Sequence, residues 1–375
     1  MKFLKNLRKK PGVASCAASL ISILAGLLVG FVLLIAFNAP YAVYGLKKIL
    51  TTGVGSMDRF AKVLYQTTPL IMCGLSVGFA FKTGLFNIGA SGQATVGAFC
   101  ALTFAIQFQM PWYVCLLISI VGGALWGAIP GLFKAFFNVN EVITSIMFNW
   151  IGLFTVNLAL NNMPKMLANA WAAGNRDRTA PLAKANPDSI IPKMGLDELM
   201  GSNYINIAIF LAILIALVLW VVLNKTTFGY ELKACGFNKH AAQYAGINDK
   251  RNIVLSMTIA GALAGVGAGL YYLSTVAEWN PQVSTALPAM GFNGISAALL
   301  ACSNPIGTIF SSLFISYITV GGTKLSTQYY TKEIADVITA IIIYLCAFSL
   351  LFKNKIRAAL AGKVRRAAVG KGGDD

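Results

Sequence analysis

Residues Phe79–Ala98 read F-A-F-K-T-G-L-F-N-I-G-A-S-G-Q-A-T-V-G-A. The chain on either side is apolar over lengths that cross a bilayer. This stretch instead holds Lys82, Thr83, Asn87, Ser91 and Gln93 together with Gly84, Gly89, Gly92 and Gly97. In hydrocarbon every backbone N–H and C=O needs a partner, so a glycine-broken polar segment survives only against protein or beside a water-filled path. The stretch predicts the end of one membrane helix, the start of another and a solute route alongside. Asn87 and Gln93 either meet the passing solute or tie the broken backbone together. Lys82 reads as an end-of-helix residue that carries its charge back to the interface.

Composition extends the reading to the whole chain. Of 375 residues, 57% are hydrophobic and 11% charged, and the mean hydropathy is +0.69. Soluble domains carry roughly a quarter charged residues, so this is a polytopic all-α membrane protein. With roughly 20 residues needed per crossing, nearly all of the chain is used in spanning, and no sizeable soluble domain remains. The net charge of +17 is concentrated at the ends. Lys2, Lys5, Arg8, Lys9 and Lys10 precede the first apolar run, and Lys353, Lys355, Arg357, Lys363, Arg365, Arg366 and Lys371 follow the last. Flanking clusters of this kind place both termini in the cytoplasm. The partner they imply is membrane lipid and not nucleic acid, because no aromatic residues interleave with the basic ones as single-strand binding requires. Seven scattered cysteines without a C-x-x-C motif read as small packing residues.

Taken in order, a basic N-terminus (1–14) precedes a transmembrane domain (15–352) and a basic tail (353–375). Ten spans are predicted, at about 15–37, 61–81, 88–108, 111–133, 142–160, 204–223, 253–273, 283–301, 306–320 and 334–352. A polar connector with Lys47, Lys48, Asp58 and Arg59 separates the first two. An external loop occupies 161–203, and a cytoplasmic connector occupies 224–252. An even number of spans agrees with two cytoplasmic ends. Gly122, Gly123 and Gly127, and Gly261, Gly265 and Gly269, have the small-residue spacing that lets helix backbones approach closely.

Two further segments carry functional weight. In Val139–Ser145 and on to Asn149, Asn140 is placed to cap a helix and Glu141 to complement its dipole. An acid this close to the membrane is also a functional candidate. The connector holds Thr226–Ala234 and Asn238–Ile247. Ala241, Ala242 and Ala245 favour a short helix that Gly246 can end, with aromatic anchors around it. Such a helix on the cytoplasmic face is suited to being gripped by a partner. His240, the single histidine, reads as a surface position. There is no zinc-protease H-E-x-x-H, no P-loop and no nucleophile elbow, so the chain is not read as an enzyme and does not itself hydrolyse ATP in the usual way.

These residues, in series, resemble a known family. Gly84-Leu-Phe-Asn-Ile-Gly-Ala-Ser-Gly-Gln93 is similar to the G-L-F-N-I-G-x-E-G-Q signature of ABC-importer permeases for simple sugars and nucleosides. The resemblance continues through Pro130–Lys134, Val139–Ile143 with Asn149, Phe228–Leu232, Ala241–Ile247, Gly291–Ile295 and Glu333–Asp336. It covers nearly the whole chain in the right order.

The resemblance implies a ten-span permease of the vitamin-B12-importer (type II) architecture in the bacterial plasma membrane, paired with a second permease subunit. It implies an ATP-binding cassette ATPase that holds ATP and magnesium in a partner chain, leaving no cofactor in this one, and an extracytoplasmic substrate-binding lipoprotein. Phe86, Asn87, Gln93, Asn140, Glu141, Asn149 and Asn293 are then the candidate pathway residues. Gly229, Tyr230, Glu231, Ala241, Ala242, Tyr244 and Gly246 are the candidate coupling residues. The long external loop favours the nucleoside subunits, with a simple sugar such as a pentose as the alternative. Ser91 departs from the family's usual glutamate, and Lys239 and His240 from its usual residues.

An ion-coupled secondary transporter would need paired carboxylates or histidine relays in the spans, and these are almost free of them. An intramembrane enzyme would need a nucleophile–base pair, and none is evident.

Overall fold

The computed structural model describes residues 11–174, 176–281, 285–325, 329–349 and 351. Its helices in chain order are α1 (Pro11–Asn38), α2 (Ala42–Thr52), α3 (Met57–Lys82), α4 (Ala90–Ile106), α5 (Trp112–Phe137), α6 (Glu141–Asn161), α7 (Leu182–Ala185) and α8 (Leu196–Met200). They continue with α9 (Ala208–Lys225), α10 (Thr227–Phe237), α11 (Lys239–Tyr244), α12 (Asp249–Tyr272), α13 (Ala289–Leu300), α14 (Pro305–Thr323) and α15 (Lys332–Cys346). The described residues contain no strand, only an isolated bridge between Leu167 and Thr179.

Where the sequence predicts ten membrane-length spans, seven helical segments among the described residues are long and apolar enough to cross. The first of them, Ser15–Thr52, runs through a 3-10 turn at Ala39–Tyr41 into α2. The predicted polar connector around Lys47 and Lys48 is therefore helical. Ala42, Gly45, Ile49 and Thr52 are its buried residues, at roughly helical spacing, while Lys47 stays exposed.

The remaining predicted spans are shorter helices: α4 has 17 residues, α13 has 12 and α15 has 15. For α4 the cause is visible. The chain leaves α3 at Lys82 and climbs back beside that helix without helical structure, so Asn87 already lies against Ser76 before α4 begins at Ala90. Residues 273–281 and 285–288 before α13 are likewise non-helical, and the first residues of α13 meet α4 at Ser91.

Helices α5 and α12 form the central pair. A Cβ on Gly127 would lie 2.6 Å from the Met257 carbonyl oxygen, and one on Gly123 would lie 2.8 Å from the Gly265 Cα. The two glycine series named from sequence thus face one another, and only hydrogen fits between them. Ser119 fastens a third helix to the pair by donating toward both the Gly97 carbonyl (2.9 Å) and the Gly265 carbonyl (2.7 Å).

The segment between α6 and α9 folds over one end of the bundle. Thr179 and Trp279 exchange hydrogen bonds, Asn186 donates to the carbonyls of Ala105 and Met110, and Ser202 donates to Asp58 at 2.6 Å. Ala105 and Asp58 are helix-end groups, and Thr179, Trp279 and Met110 belong to the non-helical chain these bonds tie down. The α10–α11 connector lies at the other end, one length of α9 away.

Candidate functional site

From Asn87 onward the broken stretch is closed off by protein, whereas Lys82 and Gly84 before it are exposed. Asn87 and Gln93 form a reciprocal amide pair, with Asn87 Nδ2 donating to Gln93 Oε1 at 2.8 Å and Gln93 Nε2 donating to Asn87 Oδ1 at 3.0 Å. Asn87 also donates to Ser76 Oγ and accepts from the Gly89 N–H, both at 3.0 Å. Asn149 reaches across from α6, accepting from the Gly92 N–H at 2.8 Å and donating to the Ile88 carbonyl at 3.1 Å. Asn87, Gln93 and Asn149 are all buried. The structure thus brings together three of the predicted pathway residues, and their hydrogen bonds are spent on each other and on backbone that no helix satisfies. Phe86 lies beside them, half-buried, its ring 4.7 Å from that of Phe81.

Asn140 and Glu141 sit apart from this group, at the connector end. Asn140 Oδ1 accepts from the Val142 N–H at 2.8 Å and caps α6, and Glu141 pairs with Lys134 at 2.9 Å. Asn138, in the left-handed conformation at φ 53°, ends α5 and turns the chain into that cap.

The connector is a helix pair. Thr226 caps α10 by accepting from the Gly229 N–H at 3.1 Å, and Asn238 caps α11 by accepting from Ala241 at 3.1 Å. Gly246 follows α11 at φ 79°, a conformation glycine adopts without cost. Ala242 is buried, and Gly229 packs so closely that a Cβ there would stand 2.7 Å from the Leu223 Cα. Glu231 is half-buried and Ala241 exposed. Tyr230, Phe237 and Tyr244 project outward, the last two 90% and 95% exposed, beside a groove of about 490 Å3. Lys239 is anchored to Asp249 at 3.1 Å, and His240 is exposed. Beneath the pair a smaller cavity of about 230 Å3 reaches Thr83, Gly84 and Leu85 of the broken stretch.

A further cleft, of about 330 Å3, opens between α3, α12, α13 and α14. Gln66, Tyr271, Tyr272, Asn293, Ser316 and Thr319 line it. Of these only Asn293 stands out in the sequence reading. The other five come from helices that meet only in the fold, and the one local sign is Gln66-Thr67-Thr68-Pro69, a polar run with a proline inside an otherwise apolar helix.

Residues 59–347 match the model of the family described as the branched-chain amino acid transport system / permease component. The chain belongs to this permease family.

Among individual relatives, the permease is 34% identical over 336 residues to the guanosine ABC transporter permease protein NupP of Bacillus subtilis, covering 88% of this chain and 92% of that one. It is 34% identical over 358 residues to the nucleoside ABC transporter permease protein NupB of Lactococcus lactis, covering 94% and 96%. A second Lactococcus lactis protein, the nucleoside ABC transporter permease protein NupC, is 29% identical over 283 residues, covering 70% and 82%. No solved structure matches the chain. The permease is thus a transport component and not an enzyme, and the family match spans the broken stretch, the connector pair and the cleft alike.

Proposed function

We propose that this permease is the membrane subunit of an ATP-driven ABC importer that moves nucleosides by alternating access. Counting α4, α13 and α15 as shorter crossings beside the seven membrane-length segments gives ten, the number the type II arrangement needs. The basic termini that argue for a cytoplasmic location of both ends, in a bacterial plasma membrane, lie outside the described residues. A partner ATPase, holding ATP and magnesium, docks on α10–α11. An extracytoplasmic lipoprotein delivers solute to the opposite, loop-covered end. A second permease subunit completes the pathway, as the names NupB and NupC from one organism suggest.

One observation carries the mechanism. The broken stretch and the exposed connector pair touch through backbone at Gly84 and Gly236. Movement of α10–α11 by a closing ATPase therefore reaches the non-helical backbone in the bundle without passing through flexible side chains. Interfaces packed this closely switch between discrete positions and do not deform smoothly. Asn87, Gln93 and Asn149 hold that stretch in one of them.

The substrate assignment rests on the two nucleoside-permease relatives that cover nearly the whole chain. Uptake of labelled guanosine, uridine and ribose by proteoliposomes holding the full complex tests it. ATP-dependent nucleoside uptake is the expected result. Uptake of ribose alone, or uptake driven by an ion gradient without ATP, overturns it.

A further inference from the structure

We infer that the cleft between α3, α12, α13 and α14 is the solute-holding site of this permease, and that it takes a neutral nucleoside with its base against Tyr271 and its ribose hydroxyls at Ser316 and Thr319. The inference rests on the proposed nucleoside function and names the residues that would read the substrate.

Ser316 is the first reason. Its Oγ has no hydrogen-bond partner although the residue is only 2% exposed. Other helical hydroxyls here bond back to the carbonyl four residues earlier: Thr319 to Ile315 at 2.9 Å, Thr308 to Asn304 at 3.0 Å, Thr339 to Ala335 at 2.8 Å. Ser316 does not; Thr103, Ser145 and Ser312 are likewise buried without a partner, but of these four hydroxyls only Ser316 lines the cleft. A buried hydroxyl without a partner is unfavourable, so it calls for a partner that the chain itself does not supply.

The amides are the second. Gln66 on α3 and Asn293 on α13 line the cleft, half-buried, and neither side chain hydrogen-bonds to another described residue. Asn87, Gln93 and Asn149, by contrast, are fully engaged nearby. An amide offers both donors and acceptors, which suits the mixed edge of a nucleobase.

The third is a rigid ring. Tyr271 stacks on Tyr65 with centroids 5.0 Å apart and planes 27° apart, and the Tyr65 hydroxyl donates to the Tyr271 carbonyl at 2.8 Å. Ring and backbone are fixed together, so a flat base meets an aromatic already in position.

The uncharged lining excludes phosphorylated solutes. None of the lining residues is Lys, Arg, Asp or Glu. A nucleotide's phosphate would leave water without a countercharge, which is prohibitive in such a site. The volume of about 330 Å3 falls at the lower end of the range for small-molecule sites.

The test measures KM for labelled guanosine in proteoliposomes holding the full complex, with the amount of each variant in the membrane as control. Ser316→Ala, Gln66→Leu and Asn293→Leu are each expected to raise KM about tenfold, the effect of one lost hydrogen bond. Tyr271→Phe keeps the ring and is expected to behave as the wild type, whereas Tyr271→Ala raises KM. Guanosine 5′-monophosphate is expected not to compete. Where a leucine variant fails to accumulate, Ser316→Cys and Asn293→Asp give the same readout at nearly unchanged volume. Unchanged KM in Ser316→Ala and Asn293→Leu, with a wild type that transports guanosine, overturns the cleft assignment and leaves the permease reading standing. Competition by the nucleotide equal to that by guanosine overturns the neutrality argument. A wild type that ignores nucleosides overturns both.

Discussion

Gly84 and Gly236 meet backbone to backbone, so that a Cβ on Gly236 would lie 2.6 Å from the Gly84 nitrogen. The first closes the turn after α3 at φ 78°, and the second lies near the end of α10. They are 152 positions apart in sequence, by difference of their numbers. Their contact joins the least regular part of the bundle to the most exposed helices at its connector end.

Gly236→Val therefore has to push α10 away from that turn. Overpacking of this kind costs roughly 1–3 kcal/mol. The expected result is a complex that assembles in the membrane yet loses solute-stimulated ATPase activity, read by comparing stimulated and basal rates. Full stimulation in the variant would remove the contact from the coupling route.

The Asn87–Gln93 pair gives a second expectation. Truncating one amide strands the other in a buried site, at a cost of about 1–3 kcal/mol. Asn87→Leu and Gln93→Leu should each lower the melting temperature of the detergent-solubilised protein. The double variant should fall less than the sum of the two, because the shared bonds are lost only once. Strict additivity would show that the pair does not act as a unit.

Tyr244 and Gly246 separate docking from folding. Tyr244 is almost wholly exposed, so Tyr244→Ala is expected to leave the chain's own stability within about 0.5 kcal/mol while weakening co-purification of the ATPase. Gly246→Val instead places a branched side chain at φ 79°, which strains the end of α11 by roughly 1–2 kcal/mol. Its effect should appear as faster proteolysis of the connector. Identical behaviour of the two variants in both assays would contradict this division.

Ser91 sets the distance between α4 and α13. It is fully buried, its Oγ donates to the Pro288 carbonyl at 2.5 Å, and a Cβ on Gly291 would come within 2.5 Å of its nitrogen. Ser91→Glu, which introduces the glutamate of the signature this stretch resembles, then forces a longer and charged side chain into a filled space. Reduced accumulation in the membrane is expected. Wild-type accumulation and uptake would mean that α13 moves aside to admit the acid.

The α5–α12 contact is the last. Gly127→Leu inserts a side chain where a Cβ already lies 2.6 Å from a carbonyl oxygen. The helices must separate, and loss of folded protein on size-exclusion chromatography is expected. Gly195→Ala in the loop, with no atom near its Cβ position, serves as the control with only its φ of 78° to strain it. Equal behaviour of the two variants would deny the glycine contact its structural role.

Much of this was determined by the sequence itself, because it depends on neighbours along the chain. Apolar length and sparse charge made the chain a membrane protein. Asn140 before α6, Asn238 before α11 and Gly246 after it act within a single turn, so their caps and the left-handed end could be read locally. The family series was legible for the same reason, since each motif is a short run of residues.

Only the tertiary structure decided how those pieces are used. The sequence left Asn87 and Gln93 open between meeting a solute and holding backbone; in the fold they bond to each other and to Ser76, deep against α3. Helix α2 was hidden by its lysines, whose charge masks a buried stripe that exists only against Leu34 of α1, Leu325, Tyr330 and Gly321 of α14. Of the span predicted at 283–301, the helix begins only at Ala289, because the described residues 285–288 before it are non-helical. The cleft was the least visible of all. Gln66, Tyr271, Asn293 and Ser316 lie on four helices, and what marks them, a shared space and for Ser316 a missing partner, is a property of packing that no run of residues contains.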